Sequence, residues 1–473
     1  MHRSPDNTGG GDDRSKRVSR RAYLQTIAVT GIAGVAGCTA GNSVTSPTPD
    51  GETNSPAPSD TSTDNPCAEP LSSPPDPNGS SGERGSIAWE TTLSPIVSPV
   101  TPLDETRLLV TTRDGMLAAL SRETGDIDWE ADLGGSVGAP LVEGNTIVVR
   151  RLIEDNTNYQ ESQVTLHGLD AETGEERWTA LTMTAGYAGG FHPILTTQEF
   201  VLVREAIDVV PNVQPMHAVS LADGTTKWTV DVGSHRGTHV RDGTVYYAGH
   251  TGVTAFEFDG SRRWEWSHDI SSYDALGGTA LVCDHVVIHG SDDGAIHGVG
   301  IESGESQWTF APSHSFGRLY DYRGRLFVAD ENQARVNPTN GEPVWTRDEH
   351  RDRLSAGYGM LFGTKYDDPT ITARAISDGT ISWDQQVDGG ARLAGVAHGQ
   401  LFIIRPADDS LDGPSYIGAL NAATGEQIWK LEAERGFDWH DAMIGTERVY
   451  VPDQTRPRTE QDDTHGNLRA IKI

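Results

Sequence analysis

Lysine is nearly missing from this chain. Of its 37 basic residues only Lys16, Lys227, Lys365, Lys430 and Lys472 are lysines, against 68 Asp plus Glu. The formal charge of −31 opposes association with nucleic acid or with anionic lipid surfaces. The carboxylates are spread along the chain rather than gathered in a tail. Such a surface is typical of proteins from salt-loving organisms, where molar salt shrinks the Debye length to about 3 Å and screens self-repulsion. A haloarchaeal source is expected. Cysteine is scarce as well. Cys38, Cys67 and Cys283 are an odd, widely spaced set, which is no disulfide framework and no zinc ribbon. Cys283, inside an apolar run from Ala280 to Ile288, reads as a buried small hydrophobe, and Cys67 is given no role. No run reaches 18 apolar residues, so no spanning helix is expected. No segment keeps a helical period between caps, so almost no helix is expected anywhere. A Gly-rich phosphate loop, Gly-x-Ser-x-Gly and His-Glu-x-x-His are all lacking.

The N-terminus carries an address. Ser19-Arg-Arg-Ala-Tyr-Leu24 places Arg20 and Arg21 ahead of a modest apolar stretch, in the manner of a twin-arginine export signal. That stretch, Thr26 to Gly37, is too short to cross a bilayer and reads as a signal-peptide core. It ends Val35-Ala-Gly-Cys38, which resembles a lipobox. Cleavage before Cys38 would leave its thiol to carry the lipid, as the sole membrane attachment. One acyl chain anchors weakly, so a diether or multi-chain lipid is expected. Residues 38–86 are dominated by Ser, Thr, Pro, Gly, Asp and Asn, and they read as a disordered, lipid-anchored spacer. Asn78-Gly-Ser80, a glycosylation triplet, lies in it. The expected organisation is a signal peptide over 1–37, the spacer over 38–86 and one domain over 87–473.

Within that domain one phrase recurs: a short strand, a turn with Gly, and Trp four residues after the Gly. The pairs are Gly125/Trp129, Gly174/Trp178, Gly224/Trp228, Gly260/Trp264, Gly304/Trp308, Gly341/Trp345, Gly379/Trp383 and Gly425/Trp429. With 53 Gly and 11 Trp in 473 residues, chance predicts about one such pair, so the period is architectural. Upstream stands a small residue on a strand: Ala119, Gly168, Ala218, Ala255, Gly298, Ala334, Ala375 or Ala419. Each phrase is therefore a β-hairpin with one large aromatic facing a small residue. A second pair of short strands precedes each hairpin, as in Val148-Val-Arg150 and Leu401-Phe-Ile-Ile404. Four antiparallel strands per repeat make a propeller blade, so the fold class is all-β, a single β-propeller. Trp89 sits on a strand with no hairpin partner before it, and Asn467–Ile473 is a small-residue strand with nothing after it. Their pairing would close the ring and hide its free edges, giving nine modules.

These residues resemble the pyrroloquinoline-quinone-like (PQQ-like) propeller repeats, most of whose members have eight blades. Tyr416-Ile-Gly-Ala-Leu-Asn-Ala-Ala-Thr-Gly-Glu-Gln-Ile-Trp429 is the closest copy of that family's tryptophan-docking motif. The resemblance covers about residues 87–473. It implies that Trp129, Trp178, Trp228, Trp264, Trp308, Trp345, Trp383 and Trp429 are structural, each stacked against the neighbouring blade. The family holds quinoprotein alcohol dehydrogenases, many with an adjacent Cys pair and a calcium ion, and non-enzymes such as the propeller lipoprotein of the bacterial outer-membrane assembly complex. No adjacent Cys pair is present here. The resemblance therefore favours a monomeric, non-catalytic scaffold without cofactor that binds envelope proteins through its loops. A dehydrogenase using PQQ and calcium to oxidise alcohols or sugars is the alternative, and glycan or peptide binding at the channel mouth stays open.

Sixteen histidines invite a metal reading. His235/His239 and His285/His289 are spaced by four, which puts each pair on one strand face about 13 Å apart, too far to chelate one ion alone. His192, His235, His239, His314 and His440 fall near the innermost strands and converge at one channel mouth if they meet at all. Separate solvated or hydrogen-bonded histidines are the simpler expectation. Asp292-Asp293-Gly294 and the group Asp408, Asp409 and Asp412 lack a full calcium loop and read as surface turns.

Overall fold

The computed structural model describes residues 67–75, 77, 83–153, 162–185, 190–206, 213–249, 252–267, 278–289, 295–311, 316–330, 332–349, 353–365, 368–405, 414–433, 442–453 and 466–473. The chain divides into two units, 1–50 and 51–473, and all the described residues belong to the second. Arg20, Arg21, Cys38, Asn78, Asp292, Asp293, His314, Asp408, Asp409, Asp412 and His440 lie outside the described residues.

The described residues form nine antiparallel sheets, the blades of one propeller ring, and contain no helix. Blade 1 is assembled from both ends of the domain: Met443–Ile444, Arg448–Asp453, Gly466–Lys472 and Ile87–Leu93. Blade 2 runs from Thr101–Pro102 to Ile127–Asp132. Blade 3 ends at Glu176–Ala185, and its first strand is split into Ser136–Val137 and Leu141–Glu143. Blade 4 comprises Gly190–Thr196, Phe200–Ala206, Gln214–Ser220 and Thr226–Val232. Blade 5 comprises His235–Arg241, Thr244–Gly249, Gly252–Glu257 and Arg262–Ser267. Blades 6, 7, 8 and 9 begin at Thr279–Val282, Phe316–Tyr322, Arg353–Gly357 and Arg392–Ala397.

Burial follows strand position. First strands of neighbouring blades approach one another, as His235–Arg241 does Thr279–Val282, so they are innermost, and they are half-buried. Second strands such as His285–His289 are buried at every residue, because both faces meet other blades. Fourth strands alternate between exposed and half-buried, as in Arg262–Ser267.

The tryptophans join one blade to the next. Gly125 has φ +76°, and a Cβ there would come within 2.4 Å of Trp89 Cε3, so only glycine allows both the turn and the indole above it. In the same way Gly174, Gly224, Gly260, Gly304, Gly341, Gly379 and Gly425 lie against Trp129, Trp178, Trp228, Trp264, Trp308, Trp345 and Trp383 of the preceding blade. Most of these indoles also donate across the interface, as Trp178 Nε1 does to Leu221 O at 2.9 Å and Trp264 Nε1 to Ile301 O at 2.8 Å. Trp129 Nε1 has no acceptor among the described residues.

A ninth step completes the circle. Trp429 lies against Gly85, which has φ +72° and whose Cβ would come 2.9 Å from Trp429 Cε3. Gly85 and Trp89 are themselves four residues apart, so the phrase occurs nine times, not eight. Trp89 pairs with Ala470, a small residue such as every other hairpin but that of Trp345 places opposite its Trp. Gly85 N donates to Lys472 O at 2.9 Å and Lys472 N to Ser86 O at 3.0 Å. Two register details differ from the sequence reading. Trp383 faces Ala373 rather than Ala375, and Trp345 faces Arg335 rather than Ala334.

The cysteines depart further from expectation. Cys67 and Cys283 form a disulfide across 216 residues, with Cα atoms 5.5 Å apart. Cys283 is not a buried apolar residue inside a strand. It stands in the turn between the first two strands of blade 6, at φ +51°. Residues 67–75, read from composition as disordered spacer, instead form a strap across one end of the ring. Glu69 N donates to Arg323 O at 3.1 Å, while Arg325 Nη1 donates to Glu69 O at 2.8 Å and Arg323 Nη1 to Pro70 O at 3.2 Å. Leu71 packs on the cluster of Phe327, Trp345, Leu361 and Ile376. Gly399 lies so close to the strap that a Cβ would meet Pro75 O at 2.2 Å. The strap thus passes the first turns of blades 6, 7, 8 and 9 in succession. Composition missed it because a covalent bond, backbone hydrogen bonds and one leucine do the holding, where a run of apolar residues would otherwise be needed.

Candidate functional site

First strands start, and second strands end, at the end of the ring opposite the strap. There, blades 3, 4 and 5 bring together Arg150, His192, Arg204 and His235. Arg150 and Arg204 each close a buried apolar run on a second strand, Ile147-Val-Val149 and Phe200-Val-Leu-Val203. His192 is the cross-strand partner of Arg204, so both side chains stand on one sheet face. Alternation along the strands places Arg204 with Leu202 towards blade 5, and Arg150 with Val148 towards blade 4.

The electrostatics show their proximity. Burial first, then Arg150, Arg204 and His235, push the His192 imidazole down to about 3. His235 is lowered to about 4 by burial, then by Arg204 and His239. His239 is also lowered to about 4, by burial and Arg241, against the opposing hydrogen bond at Thr279. All three imidazoles are neutral near pH 7. His235 Nε2 bonds Thr238 Oγ1 at 3.0 Å and its ring lies 5.5 Å from that of Tyr247, whose hydroxyl donates to Gly233 O at 2.6 Å. His239 Nε2 reaches Thr279 Oγ1 of blade 6 at 2.9 Å.

The two guanidiniums differ in their partners. Arg204 Nη1 donates to Gln214 Oε1 at 3.0 Å. Arg405, one residue further along the second strand of blade 9 and on its other face, donates to Gly389 O at 2.7 Å and Pro414 O at 2.6 Å. Arg150 Nε meets no acceptor among the described residues, and desolvation alone lowers its proton affinity. The histidines stand out in the sequence, and the arginines do not. The signal that marks the arginines is a recurring one, an apolar run ending in Arg in Val148-Val149-Arg150, Leu202-Val203-Arg204 and Ile403-Ile404-Arg405.

Of the histidines singled out in sequence, the structure unites His192, His235 and His239. His285 and His289 lie elsewhere, buried on the second strand of blade 6, where His285 Nε2 meets Gln307 Oε1 at 2.9 Å. No group of three or more His, Cys, Asp or Glu side chains among the described residues is placed to hold a metal ion. The guanidiniums around His192 repel a cation in any case. What the cluster offers is fixed positive charge beside neutral imidazole donors, which is the chemistry of an anion site. Imidazoles held this far below neutrality are poor general acids at pH 7.

A closed ring of four-stranded modules joined by docking tryptophans defines a PQQ-like β-propeller. The family model described as outer membrane protein assembly factor BamB matches residues 80–310 and 292–409, and the chain belongs to that family. Among solved structures the chain is similar to BamB from Moraxella catarrhalis, at 14% identity and TM-score 0.45, covering 80% of this chain and 98% of that one. It is also similar to quinohemoprotein alcohol dehydrogenase from Comamonas testosteroni, at 12% identity and TM-score 0.46, covering 82% and 76%. No curated protein matches the sequence. The calcium ion of quinone-dependent enzymes needs a set of oxygen ligands. The described residues, with guanidiniums at the mouth and no acidic trio, do not fit it. No step is derived through quinone or metal.

Proposed function

We propose that this chain is an exported, lipid-anchored scaffold on the outer face of the cell membrane, binding envelope proteins through the loops of its propeller and catalysing no reaction. The observation that carries the reading is the family match over residues 80–409, to a model described as an assembly factor. The disulfide supports a location outside the reducing cytoplasm, because such bonds persist in oxidising compartments. The protein acts as a monomer, leaves by the twin-arginine route through Arg20 and Arg21, and is held by a lipid on Cys38. Residues 39–66 then join lipid to strap, and fully extended they reach at most about 100 Å. Covalent crosslinking in intact cells, followed by purification in detergent, tests the role. Specific envelope proteins are expected in the crosslinked fraction. Recovery of none, under conditions that retain other envelope complexes, would overturn it.

A further inference from the structure

We propose that the strap and its disulfide form a mechanical clamp, which passes a pull on the N-terminal segment into blade 6 and keeps it off the strand that closes the ring. The inference rests on the tether reading, since it concerns the load a tether applies. The strand at risk is Ile87–Leu93. It is the outermost of blade 1, and among the described residues it pairs on one side only, with Gly466–Lys472. The chain enters it through Gly85, which is bonded to Lys472. A pull there, directed away from the sheet, opens the ladder one pair at a time, from Ile87 opposite Ile471 towards Leu93 opposite Gly466. Both docking contacts of blade 1 go with it, because Gly85 lies under Trp429 of blade 9 and Trp89 covers Gly125 of blade 2. Peeling this strand therefore opens the circle on both sides of blade 1 and bares an unpaired edge on Gly466–Lys472.

The clamp stands ahead of that strand. Cys67 is the most N-terminal of the described residues, and the strap contacts at Glu69, Pro70, Leu71 and Pro75 all follow it in the chain. A pull from upstream thus meets a covalent bond before it meets the hydrogen bonds of the strap. The attachment point is remote from the seam. Blade 6 is reached from blade 1 through blades 9, 8 and 7, and in a ring of nine no blade stands farther away. It is also well braced. Cys283 sits in the turn between two paired strands, Thr279–Val282 and His285–His289, and the second of these has neighbours on both sides and is buried throughout. Arg241 of blade 5 donates through Nη1 to Cys283 O, which ties the same turn to the blade next door. Load delivered here is shared by the interior of one sheet and by two blades. Hydrogen bonds at Glu69 and Pro70 and one packed leucine would not hold residues 68–75 under load without the disulfide, because ordering a residue costs at least as much as a net hydrogen bond returns.

The test is force spectroscopy on the full chain purified in detergent. One handle is inserted after Asp50, upstream of the disulfide. The other is an azide-bearing residue in place of Glu172, which is exposed on the hairpin turn of blade 3. Forced opening reads the unfolding rate, so it separates a load-bearing role from a gain in equilibrium stability. In the oxidised parent the seam is expected to stay shut until a blade unfolds. In Cys67→Ser with Cys283→Ser an earlier event at lower force should lengthen the chain by up to about 90 Å, the extended length of residues 67–93. Moving the first handle to follow Gly79, between strap and seam, is a control that keeps the disulfide. The pull then bypasses Cys67, and the early event should return with a gain of up to about 50 Å, from residues 80–93. An early event in the oxidised parent, or none in either the double variant or the Gly79 placement, would overturn the proposal. So would exchange of amides 466–472 in the unloaded double variant at the rate of unfolded chain, since the disulfide would then be a condition of ring closure and not a carrier of load. Lipid on Cys38 is read in a separate experiment, so a failed clamp and a failed tether are told apart.

Discussion

Replacing Gly85 should open the ring at its seam. Gly85 is at φ +72°, where a side chain costs about 1–2 kcal/mol. Its Cβ would stand 2.9 Å from Trp429 Cε3 and 3.0 Å from Trp429 Cβ, and those atoms belong to an indole packed among Phe402, Ala419 and Val449. The indole has little room to withdraw, so overpacking adds about 1–3 kcal/mol. Gly85→Ala is therefore expected to cost about 2–5 kcal/mol. Gly144 supplies the control, because it has φ +56° and no atom within 4 Å of its would-be Cβ. Gly144→Ala should cost the backbone term alone, about 1–2 kcal/mol. The difference between the two isolates the contact with Trp429. Hydrogen exchange is the suitable assay, because a nine-bladed repeat need not unfold in one step and local opening is what the variant promotes. Amides of residues 466–472, which bridge the two termini, should exchange about tenfold faster or more in Gly85→Ala than in Gly144→Ala. Equal exchange in the two variants would refute the claim that Gly85 is the ninth docking glycine.

The same contacts set three further outcomes. Replacing Cys67 and Cys283 with Ser removes a crosslink spanning 216 residues, for which loop entropy gives a loss of up to about 5 kcal/mol, read from denaturant midpoints. Reducing agent should lower the midpoint of the parent and leave the double variant unchanged. Trp178→Phe should cost about 1 kcal/mol more than Trp129→Phe in thermal denaturation, since Trp178 Nε1 has an acceptor and Trp129 Nε1 has none among the described residues. Stability should also fall as pH drops from 6.5 towards 4. The unfolded chain then takes up protons that His192, His235 and His239, lowered to about 3, 4 and 4, refuse in the folded state. Each contributes on the order of 3 kcal/mol if fully expressed. Asp321 works the other way, since burial raises it to about 6 and the folded state binds its proton first, which offsets about one histidine. A flat stability profile between pH 7 and 4.5 would contradict the burial of these imidazoles.

The sequence carries the architecture because docking repeats write their geometry at fixed spacing. A Gly that must turn and a Trp that covers the next blade's Gly stay four residues apart in every blade, so period, hairpin and ring closure are all readable. Gly85 is harder to see, because it stands at the end of a stretch whose composition reads as spacer. Arg335 and Ala373 are misplaced in sequence because a small residue one or two positions away satisfies the pattern equally well, and only cross-strand register separates them. The disulfide is not readable, since spacing says nothing about which turn of a ring a distant segment passes. The histidines of the candidate site are visible as residues but not as a cluster. Convergence depends on three blades meeting at one end, and the arginines that give the cluster its sign sit on second strands, where an apolar run masks them.

The proposed tether through Cys38 underlies the proposed envelope role and the oxidising surroundings proposed for the disulfide. Metabolic lipid labelling of the parent and of Cys38→Ser tests it most directly. The parent should take the label and sediment with membranes. Cys38→Ser should take none, and should appear in the medium or as an uncleaved precursor. Label persisting in the variant, or a cleaved variant still wholly membrane-bound, would contradict the account.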